Sequence, residues 1–311
     1  MTDPVLHHVV CPGPAAADAG EGVAPAGHRM AYWQWGDPRH PHVLVCVHGL
    51  SRQGRDFDTL ARALAPHMRV VCPDVVGRGR SDWLADALGY QFPTYVADML
   101  ALLAQLQVQA PIQALDWVGT SMGGLIGMMV AGHPGLPLPA PVCRLVLNDV
   151  GPVVQWEALQ RIGTYLGRSG RFSSLQEAAD AMWAVSTGFG PHTAEQWLDL
   201  SRHMVRPVAP GNASGALELH YDPRIAVPLG GLTQEAATQG EATLWQLYDQ
   251  IQARTLLLRG ADSDLLSTAT AAAMVQRGPR ARLVEFAGVG HAPTLVADDQ
   301  LQAVREFLHD A

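Results

Sequence analysis

Gly119-Thr120-Ser121-Met122-Gly123 fits the pattern G-x-S-x-G inside the apolar stretch LDWVGTSMGGLIGMMV, residues 115–130. An apolar run ending in glycine, then a serine between small residues, then a helical start, spells a sharp strand-to-helix bend. Small flanking residues let strand and helix approach closely there, and the serine hydroxyl points out of the fold. Ser121 is therefore a candidate nucleophile, although the pentapeptide alone also fits a glycine-rich turn with a helix-capping serine. A serine hydroxyl is a poor nucleophile at neutral pH and needs a base, commonly a histidine oriented by a carboxylate. Among 13 histidines, His291 is the one set in a small-residue turn, Gly290-His291-Ala292-Pro293, directly after the last expected strand. His7, His8, His28, His40 and His42 read as tail or surface groups, and His133, His192, His203 and His220 as structural ones.

The carboxylate is open to more than one assignment. Arg259 to Ser267, RGADSDLLS, holds two acids two residues apart, which an extended chain points the same way about 7 Å apart. Asp264 is preferred and Asp262 is the alternative, the other serving as a helix cap or a solvated charge. Asp149, after an earlier strand, is a third option whose plainer role is to fix its own loop. The oxyanion formed on an attacked carbonyl needs two preorganised donors. These are expected to be the backbone amides of Met122, which follows the serine, and of Leu50, which follows His48-Gly49. His48 more simply braces that loop.

The elements that must position these groups alternate. Short unbroken apolar runs at residues 43–49, 69–74, 115–119, 144–148, 253–260 and 281–288 read as strands buried on both faces. Helical spacing between them, as in residues 94–106, makes the fold class α/β, a mostly parallel sheet with helices on both faces. In such sheets reactive groups gather at the carboxyl ends of the strands, where His48, Asp74, Ser121 and Asp149 all stand. From residue 153 to 238 the alternation gives way to helical segments. The expected division is a core part at 1–152, a helical cap or lid at 153–238, and a second core part at 239–311. Small-molecule sites favour aromatic walls, so some of Trp156, Tyr165, Trp183, Phe189, Trp197 and Tyr221 should line the pocket. Trp156, Trp183 and Trp197 are the substrate-binding candidates. Tyr221 and Asp222, in HYDPRIA, are expected to form a turn fastening the cap to the core.

Bulk properties narrow the class. A formal charge of −8 without a basic block argues against nucleic-acid or anionic-membrane partners. No apolar run reaches the roughly 18 residues of a membrane span, and the N-terminus lacks a signal-like segment, which sets the expected location as cytoplasmic. Residues 11–27, rich in Ala, Pro and Gly, read as a flexible surface loop, with Cys11 in a loose tail. The other three of the four cysteines lie in or beside expected strands, and neither a disulfide nor a C-x-x-C metal pair is expected. No cofactor is implied.

Taken together, VHGLSRQGRDF, PDVVGRGRSDW, WVGTSMGGLIGM, LNDVGP, LLLRGADSDLLS and GVGHAPTL resemble the α/β-hydrolase superfamily, in the lidded branch of bacterial serine esterases. The resemblance implies Ser121 as nucleophile, His291 as base and then acid, Asp264 as its orienter, and Leu50 and Met122 as oxyanion hole. The order Ser, Asp, His is the one associated with this fold. Related epoxide hydrolases and haloalkane dehalogenases carry Asp at the elbow, so the serine argues against both. The expected activity is hydrolysis of small to medium, largely apolar carboxylic esters through an acyl-enzyme. A lactonase, thioesterase, carbon–carbon hydrolase, acyltransferase or perhydrolase would use the same groups. A non-catalytic receptor is the rival from another class. The expected assembly is a monomer or homodimer.

Overall fold

A computed structural model describes residues 3–13, 27–168, 170–208 and 215–310. The expected loop at 11–27 lies, for residues 14–26, outside the described residues. Its first residue does not belong to a tail. Cys11 is buried at the end of β1 (Val5–Cys11), which pairs antiparallel with β2 (His28–Trp35) along its full length. After these come β3 (His42–Val47), α1 (Asp58–Leu64), β4 (Arg69–Pro73), α2 (Phe92–Gln109), β5 (Ala114–Thr120), α3 (Met122–Gly132) and β6 (Val142–Asn148).

The next stretch holds α4 (Trp156–Tyr165), β7 (Arg171–Phe172), α5 (Leu175–Trp183), α6 (Ala194–Arg202), β8 (Val205–Pro207), β9 (Leu217–Leu219), α7 (Val227–Gly230) and α8 (Gln234–Gln250). The chain closes with β10 (Arg254–Gly260), α9 (Thr268–Gln276), β11 (Arg282–Phe286) and α10 (Asp298–His309). Eight strands form one sheet in the order β1-β2-β4-β3-β5-β6-β10-β11, parallel from β4 to β11.

Strand alternation explains why the central strands read as continuous apolar runs. In β3, Val43, Val45 and Val47 enter a core layer with residues of α2 and α3, while Leu44 and Cys46 enter the opposite layer with residues of α1 and α10. Each such aliphatic side chain contributes about 1.5–3 kcal/mol through burial. Between β6 and β10 the insertion is not purely helical. β7, β9 and β8 form a small antiparallel sheet, whose strands of two or three residues are too short to show a period in sequence. α8 returns to the main sheet and packs on α3, where Gly132 meets the Leu247 backbone so closely that a Cβ would lie 2.2 Å from its carbonyl oxygen.

The Tyr221-Asp222 turn ties the insertion down. Buried Asp222 accepts hydrogen bonds from Tyr90 Oη at 2.6 Å and Arg224 Nη2 at 2.7 Å, and its amide donates to the Gly77 carbonyl. Arg224 also donates to the Leu84 carbonyl at 2.8 Å. Among the described residues, no helix is long and apolar enough to cross a membrane. All four cysteines are free thiols.

Candidate active site

Ser121 sits between β5 and α3 with φ 54° and ψ −118°, in the left-handed region that a non-glycine residue adopts only where its surroundings force it. The flanking glycines are obligatory. A Cβ on Gly119 would lie 2.2 Å from the Gly123 carbonyl oxygen, and one on Gly123 would lie 2.0 Å from that of Val47. The bend presents Ser121 Oγ to His291, whose Nε2 is 2.9 Å away. On its other side, His291 Nδ1 is 2.7 Å from Asp149 Oδ2. A carboxylate has no proton to give, so Nδ1 carries the hydrogen and Nε2 is left to accept from the serine.

The acid beside His291 is therefore neither Asp264 nor Asp262. Asp264 lies on the exposed side of its loop and holds Arg161 of α4 through two contacts, at 2.6 and 3.0 Å. Asp262 is exposed, and among the described residues only its amide is tied, to the Val289 carbonyl. Asp149 reaches the histidine because β6 lies between β5 and β10, and a positive φ of 55° turns its fully buried side chain across the end of β10. There it accepts from the Gly260 amide at 2.9 Å and the Ser263 hydroxyl at 2.6 Å. The neighbouring Asn148 joins the three loops: its carbonyl accepts from the Ser121 amide at 2.9 Å, and its side-chain nitrogen donates to Thr120 Oγ1 at 2.9 Å and the Pro293 carbonyl at 2.8 Å.

Leu50 and Met122, the residues expected to supply the oxyanion amides, lie on segments next to this serine: Leu50 lines the same cavity and Met122 follows Ser121 directly. Met122 opens α3, where the first amides have no intrahelical acceptor. Leu50 follows Gly49, whose Cα is close enough to Ser121 that a Cβ there would lie 3.7 Å from the serine Cβ. Both residues rest on Arg78, a fully buried guanidinium. Its Nε donates to the Leu50 carbonyl at 2.9 Å, Nη1 to the Val76 carbonyl at 2.7 Å and Tyr95 Oη at 3.1 Å, and Nη2 to Met122 Sδ at 3.7 Å. No carboxylate pairs with it among the described residues. His48 braces the loop, with Nδ1 donating to the Gly49 carbonyl at 2.7 Å and Nε2 accepting from the Val75 amide at 2.9 Å. Burial pushes its pKa down to about 3, so it stays neutral and keeps this donor–acceptor pair.

Above Ser121 and His291 opens a cavity of about 360 Å³. Tyr165, Phe172, Phe189 and Tyr221 line it, together with Ile162, Leu166 and Met182. The three expected tryptophans do not. Trp156 borders a separate hollow with Leu159 and Leu229. Trp197 is buried in the insertion's own core beside Met182 and Leu200, donating Nε1 to the Ala179 carbonyl, and Trp183 packs edge-on against it at 5.0 Å. Among the described residues, the cluster with metal-ligand chemistry is Cys11, His28 and Asp98, on β1, β2 and α2, which supply nothing to the cavity.

The sequence profile of the alpha/beta hydrolase family matches residues 44–306. The chain belongs to this family. It is 51% identical over 292 residues to a 3-hydroxybutyrate-oligomer hydrolase of Cupriavidus necator, covering 93% of this chain and 96% of that protein. It is 27% identical to the pimeloyl-[acyl-carrier protein] methyl ester esterase of Xanthomonas oryzae, over 86% of this chain and 96% of the other. Among solved structures, an alpha/beta hydrolase from Novosphingobium aromaticivorans superposes with a TM-score of 0.79 at 34% identity, covering 99% of each chain. This chain is accordingly a hydrolase with esterase-like relatives.

Three residues of this hydrolase's site carry little signal in the sequence. Asp149 was visible only as an acid after a strand, and what separates it from Asp264 is strand order. Arg78 lies in GRGRS, where the glycines mark a tight turn and nothing marks the arginine as buried. Ser263 reads as one more loop hydroxyl, yet it bonds Asp149.

Proposed function

We propose that this chain is a serine hydrolase of carboxylic esters working through an acyl-enzyme, with short 3-hydroxyacid oligoesters as its substrates. The observation that carries the reading is His291 placed between Ser121 Oγ at 2.9 Å and the buried carboxylate of Asp149 at 2.7 Å. In this reading Ser121 Oγ attacks the ester carbonyl carbon while His291 Nε2 takes its proton. The Leu50 and Met122 amides hold the tetrahedral oxyanion, and Asp149 stabilises the imidazolium. Collapse breaks the carbon–oxygen bond, and the leaving alcohol takes the proton back from His291. Water, activated by the same histidine, then attacks the acyl-Ser121 ester and releases the acid. The insertion at 153–238 acts as the cap that shelters these steps, and no cofactor enters any of them.

The oligoester assignment draws on the 51% identical relative, named for 3-hydroxybutyrate oligomers, and on a cavity whose walls are mainly apolar. The test is hydrolysis of p-nitrophenyl esters from acetate to laurate and of the 3-hydroxybutyrate dimer and trimer, by wild type and Ser121→Ala. Wild-type turnover that favours short chains and vanishes in Ser121→Ala is expected. Turnover retained by Ser121→Ala, or none by wild type on any ester, would overturn the reading.

A further inference from the structure

The cavity above Ser121 is lopsided in charge. The protein has 29 acidic against 21 basic side chains, yet the cavity lining contains three arginines, Arg52, Arg161 and Arg168, and no carboxylate. Two of the three are already held by acids behind the lining. Arg52 makes a two-pronged contact with Asp56 at 2.6 and 2.7 Å, and Arg161 makes one with Asp264 at 2.6 and 3.0 Å. Arg168 differs. It follows α4 and the positive-φ turn at Gly167, its backbone amide donates to the Tyr165 carbonyl, and its guanidinium has no acid partner among the described residues.

A guanidinium is weakly hydrated and presents a fork of N–H donors that matches a carboxylate in two parallel bonds. Set at the edge of an apolar cavity, a free one selects molecules that are greasy along their length and anionic at one end. We propose that Arg168 binds the free carboxylate of the substrate, so that the site takes oligoesters in their acid form in preference to neutral esters. This inference rests on reading Ser121 as the ester-cleaving nucleophile. In an oligoester of a hydroxyacid, the terminal carboxylate belongs to the alcohol side of the last ester bond. Arg168 therefore holds the leaving portion, and the first product released carries a hydroxyl and a carboxylate.

The test compares kcat/KM for the 3-hydroxybutyrate dimer as its free acid and as its methyl ester, in wild type, Arg168→Ala and Arg168→Lys. Wild type is expected to prefer the acid by about tenfold or more, the range of a charge-assisted contact. In Arg168→Ala that ratio falls toward one, chiefly through KM, and Arg168→Lys restores part of it. Raising the salt concentration should lower the wild-type ratio. A ratio that is the same in wild type and Arg168→Ala overturns the inference. Calorimetric binding of the dimer acid to Ser121→Ala, with and without Arg168→Ala, reads the same contact without turnover. An affinity loss of about tenfold supports it, and equal affinity refutes it. Absence of all ester hydrolysis in wild type tells against the nucleophile reading alone.

Discussion

Exchange of Asp149 for asparagine is the sharpest perturbation of the site, because it changes one charge and almost no volume. The carboxylate accepts three hydrogen bonds, from the Gly260 amide, the Ser263 hydroxyl and His291 Nδ1. An asparagine that keeps its oxygen toward Gly260 turns its NH2 toward His291, which can no longer donate from Nδ1. The imidazole then adopts the other tautomer and presents N–H to Ser121, where an acceptor is needed. In the general serine–histidine–aspartate template this error costs about 10⁴ in kcat, or about 5 kcal/mol of transition-state stabilisation.

The control is Asp264→Asn. That pair with Arg161 has side chains 42% and 47% exposed, so its loss costs no more than about 1 kcal/mol of stability and leaves kcat within about threefold. Both variants are assayed on p-nitrophenyl butyrate, with circular dichroism to show that each is folded. A large kcat loss in Asp264→Asn beside near-normal turnover in Asp149→Asn would refute the assignment and return the role to Asp264.

Arg78→Met removes the guanidinium that holds the Leu50 carbonyl and Met122 Sδ, the two residues proposed to supply the oxyanion amides, and a kcat loss of about 10² with KM little changed is expected in steady-state kinetics; unchanged kcat would refute it. His48→Gln tests the buried neutral histidine. The unfolded chain protonates His48 below pH 6.5 and the folded chain only near pH 3, so stability falls as pH drops across that window, at about 1.4 kcal/mol per pH unit for one proton. Urea midpoints at pH 7 and pH 5 should therefore differ less in His48→Gln than in wild type, and an equal difference would contradict the assignment. Gly123→Ala places a methyl 2.0 Å from the Val47 carbonyl oxygen, and its melting temperature should fall well below that of wild type.

Local chemistry made Ser121 and His291 visible as candidates in the sequence, because each occupies a turn between small neighbours. The parallel sheet was equally readable, since strands buried on both faces leave unbroken apolar runs. Asp149 was obscured because its nearness to His291 depends on β6 lying beside β10, a relation between segments about a hundred residues apart. The acids at 262 and 264 sit in the expected loop but face solvent, and sequence does not show which way a loop carboxylate turns. The tryptophans misled for a related reason. A large aromatic is as useful in the insertion's own small core, where Trp197 is buried, as in a pocket wall. β1 escaped notice because Val5, Leu6 and Val10 are all exposed, so apolar residues on both faces blur the alternation.

The position of Asp149 directly after β6 also leaves the loop after β10 free for other work. Its carboxylate at 264 grips α4 from outside, while the Ser121–His291–Asp149 line is drawn from the loops after β5, β11 and β6. Under the proposed reaction, the contact that fixes the cavity wall and the contacts that align the reacting groups are thus separate sets. Raised ionic strength, which weakens the exposed Arg161–Asp264 pair, is therefore expected to act on α4 and to leave the buried Ser121–His291–Asp149 hydrogen bonds unchanged.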